Sequence, residues 1–519
     1  MPTDSSTSST ESPASPGRGR PRPAGSWLLA LLGGALWALS HQAEPMLWAS
    51  FLAWVPFFLL LDRPRPFFFT WLSGFVGWLG TLPWVASTVS VHGGLPNWVG
   101  ALLLTLLAAA LALEHGLVAW ITRKLTAAAS LHRLWLVPAL WVLMETQRGF
   151  FVGGFPWNLN AYAWTELPGA LEATAWIGAA GLSFFVVLVG GLLALGRQLR
   201  RPLVPALGLP AVALLLILAG RTAPSLDQGT GLSFPVRVVQ PNGVLTYDRQ
   251  ILLQSYDRLM ELSRRACDTP SLLIWPESAA WPYAWHDAPR LRRDVEALGR
   301  RGCGVLLSSP TRRSRDLFNS ALLIYPPTSG QSVPRDDVAE YAKRRLVPWG
   351  EYVPAREWFP FIDGMARNVG DFTPGRDVAL LPWRDRRIGM AICYEVIFAG
   401  LVAEQVRAGA DVLATITNDA WYGDSAAPWQ HLRAARFRAA ETRRPMLRAA
   451  LTGVSAMIDA RGRVQSQLGV GEQGVLEARV HGSQGLTPYS RAPFAPALLA
   501  AAAVAFAMIR RLRRQRPGA

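Results

Sequence analysis

The sequence predicts two structural parts, a multi-span α-helical membrane domain and an α/β domain that precedes its last helix. Half of the 519 residues are hydrophobic and 22 are tryptophan, a composition more apolar than an ordinary soluble enzyme has. Apolar runs fill most of the first 220 residues and return near residue 492. Between them, helix and strand patterns alternate, which indicates a buried sheet packed under helices.

About eight apolar runs are candidates for membrane-spanning helices, because a bilayer core of ~30 Å needs ~20 apolar residues. The runs lie at about 26–40, 46–61, 66–88, 97–121, 134–147, 171–195, 203–220 and 492–509. The first, second and fifth are short for a full crossing. We expect about eight spans, give or take one or two.

The domain boundaries follow from these runs and from the polar ends of the chain. We predict a disordered basic tail (1–24), about seven transmembrane helices (25–220), an α/β domain (221–490), a C-terminal transmembrane helix (491–510) and a basic cytoplasmic tail (511–519). The N-terminal tail lacks a small-residue cleavage site, so the first apolar run is predicted to be an anchor rather than a removed signal peptide.

Basic residues predict the orientation, because cytoplasmic loops of membrane proteins are rich in Lys and Arg. Along the chain, basic segments alternate with loops that carry neither Lys nor Arg. This is the alternation expected if the chain crosses the membrane eight times. The basic positions are Arg18, Arg20, Arg22, Arg63, Arg65, Arg123, Lys124, Arg133, Arg197, Arg200, Arg201, Arg510, Arg511, Arg513, Arg514 and Arg516. Both termini are therefore predicted to be cytoplasmic, with the α/β domain on the opposite side of the membrane.

The α/β domain is predicted from short apolar strands that alternate with amphipathic helices. The predicted strands are 236–240, 271–275, 304–309, 319–325, 388–393, 412–418 and 446–450, and the predicted helices are 246–266, 289–301 and 429–441. Polar residues come directly after several of these strands. Folds of this kind carry their functional residues at strand ends.

Charge and cysteine content limit the kinds of partner and cofactor that the protein is expected to have. The formal net charge of +16 favours contact with anionic lipid headgroups, and the alternative, nucleic-acid binding, lacks any basic, aromatic-interleaved module. Cys267, Cys303 and Cys393 are three in number at unrelated spacings, so neither a disulfide framework nor a zinc site is predicted. The seven histidines form no metal-binding pattern, and no metal or other cofactor is expected.

Three residues in separate strings form a set suited to acyl transfer. Cys393 ends an apolar strand and is a candidate nucleophile, Glu277 follows a buried strand and a proline and is a candidate base, and Lys343 is a candidate stabiliser of an oxyanion or thiolate. Taken singly, each has an ordinary alternative: a buried thiol, a structural ion pair and a surface lysine. Glu351 is a second carboxylate that orients Lys343 or Glu277, relays protons, or forms a cap or ion pair.

The short sequence motifs that contain these residues resemble those of the nitrilase (carbon-nitrogen hydrolase) superfamily. They are Trp275-Pro276-Glu277, the segment from Tyr341 to Tyr352, and Cys393-Tyr394-Glu395. Together with the eight-span pattern, the segments 417–423 and 428–431 are similar to one branch, the apolipoprotein N-acyltransferases. The likeness runs from about residue 26 to the last apolar run.

The resemblance implies an αββα sandwich and a Glu277–Lys343–Cys393 triad. It implies a membrane phospholipid as acyl donor, a diacylated apolipoprotein as acceptor, and an acyl-cysteine thioester between them. Supporting or substrate-lining positions carried over from the family are Glu351, Tyr394, Glu395, Trp421, Tyr422 and Tyr247; the family often has Phe at position 422 and Trp at position 247. The apolar segment 358–362 is a candidate flap or a core-packing loop.

The resemblance also implies a multi-pass protein of the bacterial inner membrane with a periplasmic catalytic domain. No interface signal is present, so a monomer is expected, in contact with the lipid bilayer and not with nucleic acid. Two alternatives remain open, a membrane-tethered amidase or nitrilase acting on a small C–N substrate and a scaffold with a silent hydrolase domain.

Overall fold

The computed structural model describes residues 23–150, 153–226, 233–327, 338–353 and 371–515. The predicted N-terminal tail lies almost entirely outside these ranges, as do the end of the C-terminal tail and the candidate flap 358–362. In the described part, most of the chain before residue 222 is helical, and a two-sheet α/β domain follows it.

Nine α-helices precede the α/β domain within the described residues. They are α1 (Pro23–Leu39), α2 (Leu47–Leu52), α3 (Trp54–Leu60), α4 (Pro66–Thr81), α5 (Pro83–Ser87), α6 (Asn97–Leu125), α7 (Arg133–Gln147), α8 (Ala170–Gln198) and α9 (Leu203–Arg221). Tryptophan, phenylalanine and leucine fill the space between them, while many other large apolar side chains face outward, as expected in a lipid environment.

Each sheet of the α/β domain has six strands. One has the order β12-β1-β2-β3-β4-β5 and the other β11-β10-β9-β8-β7-β6. The strands are β1 (Phe234–Gln240), β2 (Leu272–Ile274), β3 (Gly304–Arg313), β4 (Asp316–Ile324), β5 (Ala339–Ala342), β6 (Leu381–Trp383), β7 (Arg386–Ile392), β8 (Val412–Thr417), β9 (Met446–Ala450), β10 (Ser455–Ile458), β11 (Val464–Leu468) and β12 (Gly474–Val480). β1–β3 pair in parallel, as do β7–β9.

Helices cover the outer faces of the two sheets. They are α10 (Arg249–Ala266), α11 (Pro289–Gly299), α12 (Ala399–Arg407) and α13 (Ala427–Thr442). The short α14 (Pro488–Arg491) packs against α8, α12 and α13, and the chain then returns to an apolar helix, α15 (Ala495–Gln515). In β7, Ile388, Met390 and Ile392 belong to the core between the sheets, whereas Ala391 faces the core under the helices. The predicted αββα architecture is therefore confirmed, and it follows from the alternation of side chains along each strand.

The prediction of about eight spans is confirmed only in part. Within the described residues, four helices are long and apolar enough to cross a membrane: Asn97–Leu125, Ala170–Gln198, Leu203–Arg221 and Ala495–Arg513. The other four apolar runs form shorter helices. The second run is divided at Ala53 between α2 and α3, and the third is broken before Pro83, where proline begins a new helix.

The prediction that no disulfide is present was wrong. Cys267, just after α10, is bonded to Cys303, just before β3, across a sequence separation of 36 residues. Both cysteines lie in the buried cluster under α10 and α11. The pairing depends on two chain segments that only the sheet brings together, so the spacing of the cysteines could not reveal it. Cys393 is free and buried.

Helix α13 belongs to both parts of the molecule. On its membrane side, the Gln430 amide donates to the carbonyl oxygens of His41 at 3.0 Å and Thr81 at 3.2 Å. The same amide accepts from the Trp157 indole at 2.7 Å. The next residue, His431, faces the end of β7. One turn of α13 thus joins the helical bundle to the strand that carries Cys393.

Candidate active site

The three candidate catalytic residues come together because the strands before them end at the same edge of their sheets. Glu277 lies three residues after β2, Lys343 follows β5 directly, and Cys393 follows β7 directly. The main-chain N–H of Asn418, at the end of β8, donates to Glu277 Oε2 at 3.1 Å. That bond crosses from one sheet to the other and fixes the base candidate beside the strand ends of the second sheet.

The Lys343 ammonium is buried between two carboxylates. Its Nζ lies 2.9 Å from Glu351 Oε1 and 3.3 Å from Glu277 Oε1, and the side chain is 1% exposed. Burial alone would lower the pKa of Lys343, but the charges of Glu277, Glu351 and the Cys393 site outweigh it and raise that pKa above the ordinary value. The site therefore holds a permanent cation, and Lys343 is not a surface lysine.

Asn319 is a site residue that sequence reasoning missed. Its side-chain amide donates to Glu277 at 2.9 Å and to Glu351 at 2.7 Å. Its main-chain carbonyl oxygen accepts from the Lys343 main-chain N–H at 2.8 Å. It therefore spaces the two carboxylates and holds the lysine backbone. Asn319 lies within β4, in a strand with no motif of its own, so only the pairing of β4 with β5 reveals it.

The Cys393 thiol is buried, and its surroundings favour the protonated form. Cys393 is 6% exposed and has a backbone φ of 53°, in the left-handed region that non-glycine residues seldom adopt outside functional sites. Burial raises the pKa of Cys393 above its ordinary value, the Glu277 charge raises it further, and the Lys343 charge opposes both. A base must therefore remove the proton when the thiol reacts.

A second buried network, also missed from sequence, supports the Cys393 backbone. His431 Nε2 lies 3.0 Å from the Cys393 carbonyl oxygen and Nδ1 lies 3.1 Å from Asp419 Oδ1. Asp419 Oδ2 accepts from the Arg448 guanidinium at 2.6 Å. All three side chains are fully buried. Because a carbonyl oxygen only accepts, Nε2 donates to it, and the network holds the strained residue in place.

Two of the residues predicted to be supporting or substrate-lining, Glu395 and Tyr394, are bonded to protein groups. Glu395 is fully buried and accepts from the main-chain N–H groups of Arg344 at 2.6 Å, Arg345 at 3.0 Å and Ile392 at 2.8 Å, and from the Tyr341 hydroxyl. It joins the loop after Lys343 to the strand before Cys393. The Tyr394 hydroxyl donates to the Gly154 carbonyl oxygen at 2.6 Å, so Tyr394 ties the site to the loop after α7.

The remaining predicted residues are Tyr422, Trp421 and Tyr247, which differ in burial and in their contacts. Tyr422 packs its ring 4.9 Å from that of Trp84, and burial raises its pKa. The Trp421 carbonyl oxygen accepts from Thr88 at 2.8 Å, at the boundary with the helical bundle. Tyr247, two residues before α10, is 76% exposed, and its role at the site stays a prediction.

We predict that the Lys343→Met variant reacts more slowly with a thiol reagent. Removing the cation raises the pKa of Cys393 further, and each pKa unit lowers the thiolate population about tenfold. The measurement is the rate of Cys393 alkylation by iodoacetamide, followed by peptide mass spectrometry in the folded protein. The matched control is Lys124→Met, at the exposed end of α6, which should alkylate like the parent protein. An unchanged rate in Lys343→Met would show that the lysine does not favour the thiolate.

Two family profiles match this chain. The apolipoprotein N-acyltransferase N-terminal domain matches residues 33–192, and the carbon-nitrogen hydrolase domain matches residues 235–488. The first covers most of the helical bundle and the second the two-sheet domain, including every residue of the site described above.

Curated relatives match over nearly the whole chain. Apolipoprotein N-acyltransferase of Geobacter metallireducens is 34% identical over 503 residues, which cover 93% of this chain and 95% of that protein. The enzymes of that name from Shewanella oneidensis and Caulobacter vibrioides are 33% and 34% identical and cover 94% and 91% of this chain and 96% and 92% of theirs. The chain belongs to the apolipoprotein N-acyltransferase family, with a catalytic domain of the carbon-nitrogen hydrolase type.

Proposed function

We propose that this protein transfers an acyl chain from a membrane phospholipid to the N-terminal α-amine of a diacylglyceryl-cysteine apolipoprotein. Membership of the family supports the reaction. The observation that carries the assignment of residues is the buried cluster in which Lys343 lies between Glu277 and Glu351 while the charges of Glu277 and Lys343 act on the Cys393 thiol. An enzyme of this kind completes lipoprotein maturation.

In the first half-reaction, Glu277 takes the proton of Cys393 as the sulfur attacks the ester carbonyl of the phospholipid. General-base assistance is needed because burial and the Glu277 charge keep the thiol protonated. The Lys343 ammonium stabilises the negative charge on the carbonyl oxygen. The ester C–O bond then breaks, Glu277 returns the proton to the departing alkoxide, and lysophospholipid leaves behind an acyl-cysteine thioester.

In the second half-reaction, the lipoprotein amine attacks the thioester carbonyl. Glu277 accepts a proton from the amine, the C–S bond breaks, and Cys393 regains its proton, so the enzyme returns to its starting state. Water must be kept from the thioester in between, since hydrolysis would waste the donor lipid. The buried surroundings of Cys393, with Trp157 stacked on His431 and Tyr422 packed edge-on against it, favour that exclusion.

Roles for the supporting residues follow from their contacts. Glu351 orients Lys343 through the 2.9 Å ion pair and is itself held by the Val347 main-chain N–H at 2.8 Å. Asn319 spaces Glu351 from Glu277. We assign Glu395 and Tyr394 to positioning of the two loops rather than to contact with substrate, because their polar atoms are already bonded to protein groups.

We further propose that the protein is a multi-pass protein of the bacterial inner membrane with an extracytoplasmic catalytic domain and cytoplasmic termini. The apolar helices and the family support a membrane location. The Cys267–Cys303 disulfide favours an oxidising compartment for the catalytic domain. The arginines at positions 197, 200 and 201, between α8 and α9, favour the cytoplasmic side for that loop.

We predict a fatty-acyl adduct on Cys393. Purified protein incubated with phospholipid should gain the mass of one acyl chain on the Cys393 peptide, and a diacylglyceryl-cysteine peptide with a free amine should remove it. Mass spectrometry of intact protein and peptides measures both steps. The Cys393→Ala variant should form no adduct and lose acyl transfer completely, with unchanged thermal unfolding as the control for folding.

Absence of the adduct in well-folded protein, together with ammonia release from small amides, would instead support a membrane-tethered amidase. Acyl transfer that persists in Cys393→Ala would exclude the thioester route altogether.

We predict that His431 acts as a positioning residue. His431→Leu removes the hydrogen bond to the Cys393 carbonyl, and misplacement of the sulfur should lower kcat roughly ten- to a hundredfold with little change in the KM for phospholipid. His431→Gln keeps a donor and should recover part of the rate. His481→Leu, at an exposed histidine, is the matched control. A rise in KM alone would place His431 in substrate binding instead.

We predict opposite reporter activities on the two sides of α9. Alkaline phosphatase fused after Ser225 should be active, because the enzyme needs an oxidising compartment, whereas a fusion after Leu199 should be inactive. Activity measured in whole cells, with immunoblots as the control for expression, tests this. An inactive Ser225 fusion at normal expression would reverse the proposed orientation.

A further inference from the structure

A cavity of about 510 Å³ opens where the helical bundle meets the catalytic domain. The start of α8 and the end of α9 form one side of it, through Glu172 and Arg221. The catalytic domain forms the other side, through Arg443 at the end of α13 and Arg461 and Arg463 in the turn between β10 and β11. No part of the proposed mechanism uses these residues.

The cavity has an excess of positive charge. Its lining carries four guanidinium groups and one carboxylate, that of Glu172. The carboxylate is already engaged, because Arg463 lies 2.6 Å from Glu172 Oε1. The other three arginines, Arg221, Arg443 and Arg461, have no such partner in the lining.

A neighbouring groove of about 760 Å³ has no such excess. Arg433, Arg436 and Arg463 are balanced there by Glu44, Glu166 and Glu172, and Arg436 forms an ion pair with Glu166. The positive character is therefore a property of the first cavity and not of the whole junction.

Arg443 is the residue that points to a ligand. Its side chain is 5% exposed, and only its Nη2 has an acceptor, the Glu172 carbonyl oxygen at 3.2 Å. Nε and Nη1 are buried and have no acceptor among the described residues. Burial lowers the pKa of Arg443 to about 10, which still leaves it charged at neutral pH. A buried cation with unused donors is costly unless an anion satisfies it.

We propose that this cavity binds the phosphate of an anionic phospholipid headgroup. Guanidinium groups suit phosphate because their paired N–H donors match its oxygens. The cavity lies at the ends of two candidate spans, α8 and α9, which is the level of lipid headgroups rather than of bulk solvent. A bound phosphate would offset the repulsion that Arg461 and Arg463 exert on the Arg443 guanidinium.

This site is separate from the catalytic centre. Arg443 is twelve residues after His431, which corresponds to ~18 Å along the axis of α13. The lipid bound here is therefore not the acyl donor in its reacting position, and the proposal stands independently of the acyl-transfer mechanism. It predicts a lipid that stays bound while donor lipids turn over.

The experiment measures lipid binding to the full-length protein. Protein in nanodiscs of phosphatidylcholine, with and without phosphatidylglycerol, is analysed by native mass spectrometry to count retained lipids and their affinity. Arg443→Gln and the exposed Arg461→Gln should each weaken phosphatidylglycerol binding roughly tenfold, the effect of losing one charge-assisted contact. Arg197→Gln, an exposed arginine at the opposite end of α8, is the matched control and should bind like the parent protein.

The outcomes are distinct. Unchanged phosphatidylglycerol binding in both variants would overturn the proposal, as would an equal loss in Arg197→Gln, which would mean general surface attraction. If excess inorganic phosphate alone occupies the site and prevents lipid retention, the site serves free phosphate and the lipid assignment is wrong. Because Arg461 is exposed, its variant keeps the test valid even if Arg443→Gln fails to fold.

Discussion

The Lys343 ammonium is almost completely removed from water, and the organisation of the site follows from that. A buried cation requires nearby negative charge, and two carboxylates, Glu277 and Glu351, supply it at 3.3 and 2.9 Å. Two carboxylates this close repel each other, and Asn319 donates to both and holds them apart. The cation is thus fixed in position, as the proposed stabilisation of negative charge beside Cys393 requires.

A second constraint acts on the backbone of Cys393. The residue has a φ of 53° directly after a strand, and such a conformation persists only when its surroundings enforce it. His431 holds its carbonyl oxygen, and Glu395 holds the main-chain N–H of the preceding residue, Ile392. Both supports are charged or polar groups buried at a cost, which is offset by Arg448 through Asp419 and by main-chain donors around Glu395.

Helix α13 carries these constraints to the membrane part of the molecule. Its first half faces Cys393 through His431 and the bundle through Gln430, and its C-terminal end contributes Arg443 to the cationic cavity at the junction. The contact between His431 and Cys393 lies within the catalytic domain. The others give a physical reason why the helical bundle and the catalytic domain belong to one enzyme: the acyl donor and the acceptor's lipid anchor both lie in the bilayer.

The sequence by itself determined the two-part architecture, the αββα strand and helix pattern, and the set Glu277, Lys343 and Cys393, because hydrophobic periodicity and short motifs are local properties of the chain. It did not reveal Asn319, the Asp419–His431–Arg448 network or the Cys267–Cys303 disulfide. These features depend on strand pairing and on packing between distant segments. Only the tertiary structure decided them, because neither the partner of a buried polar group nor the partner of a cysteine is encoded at a fixed distance along the chain.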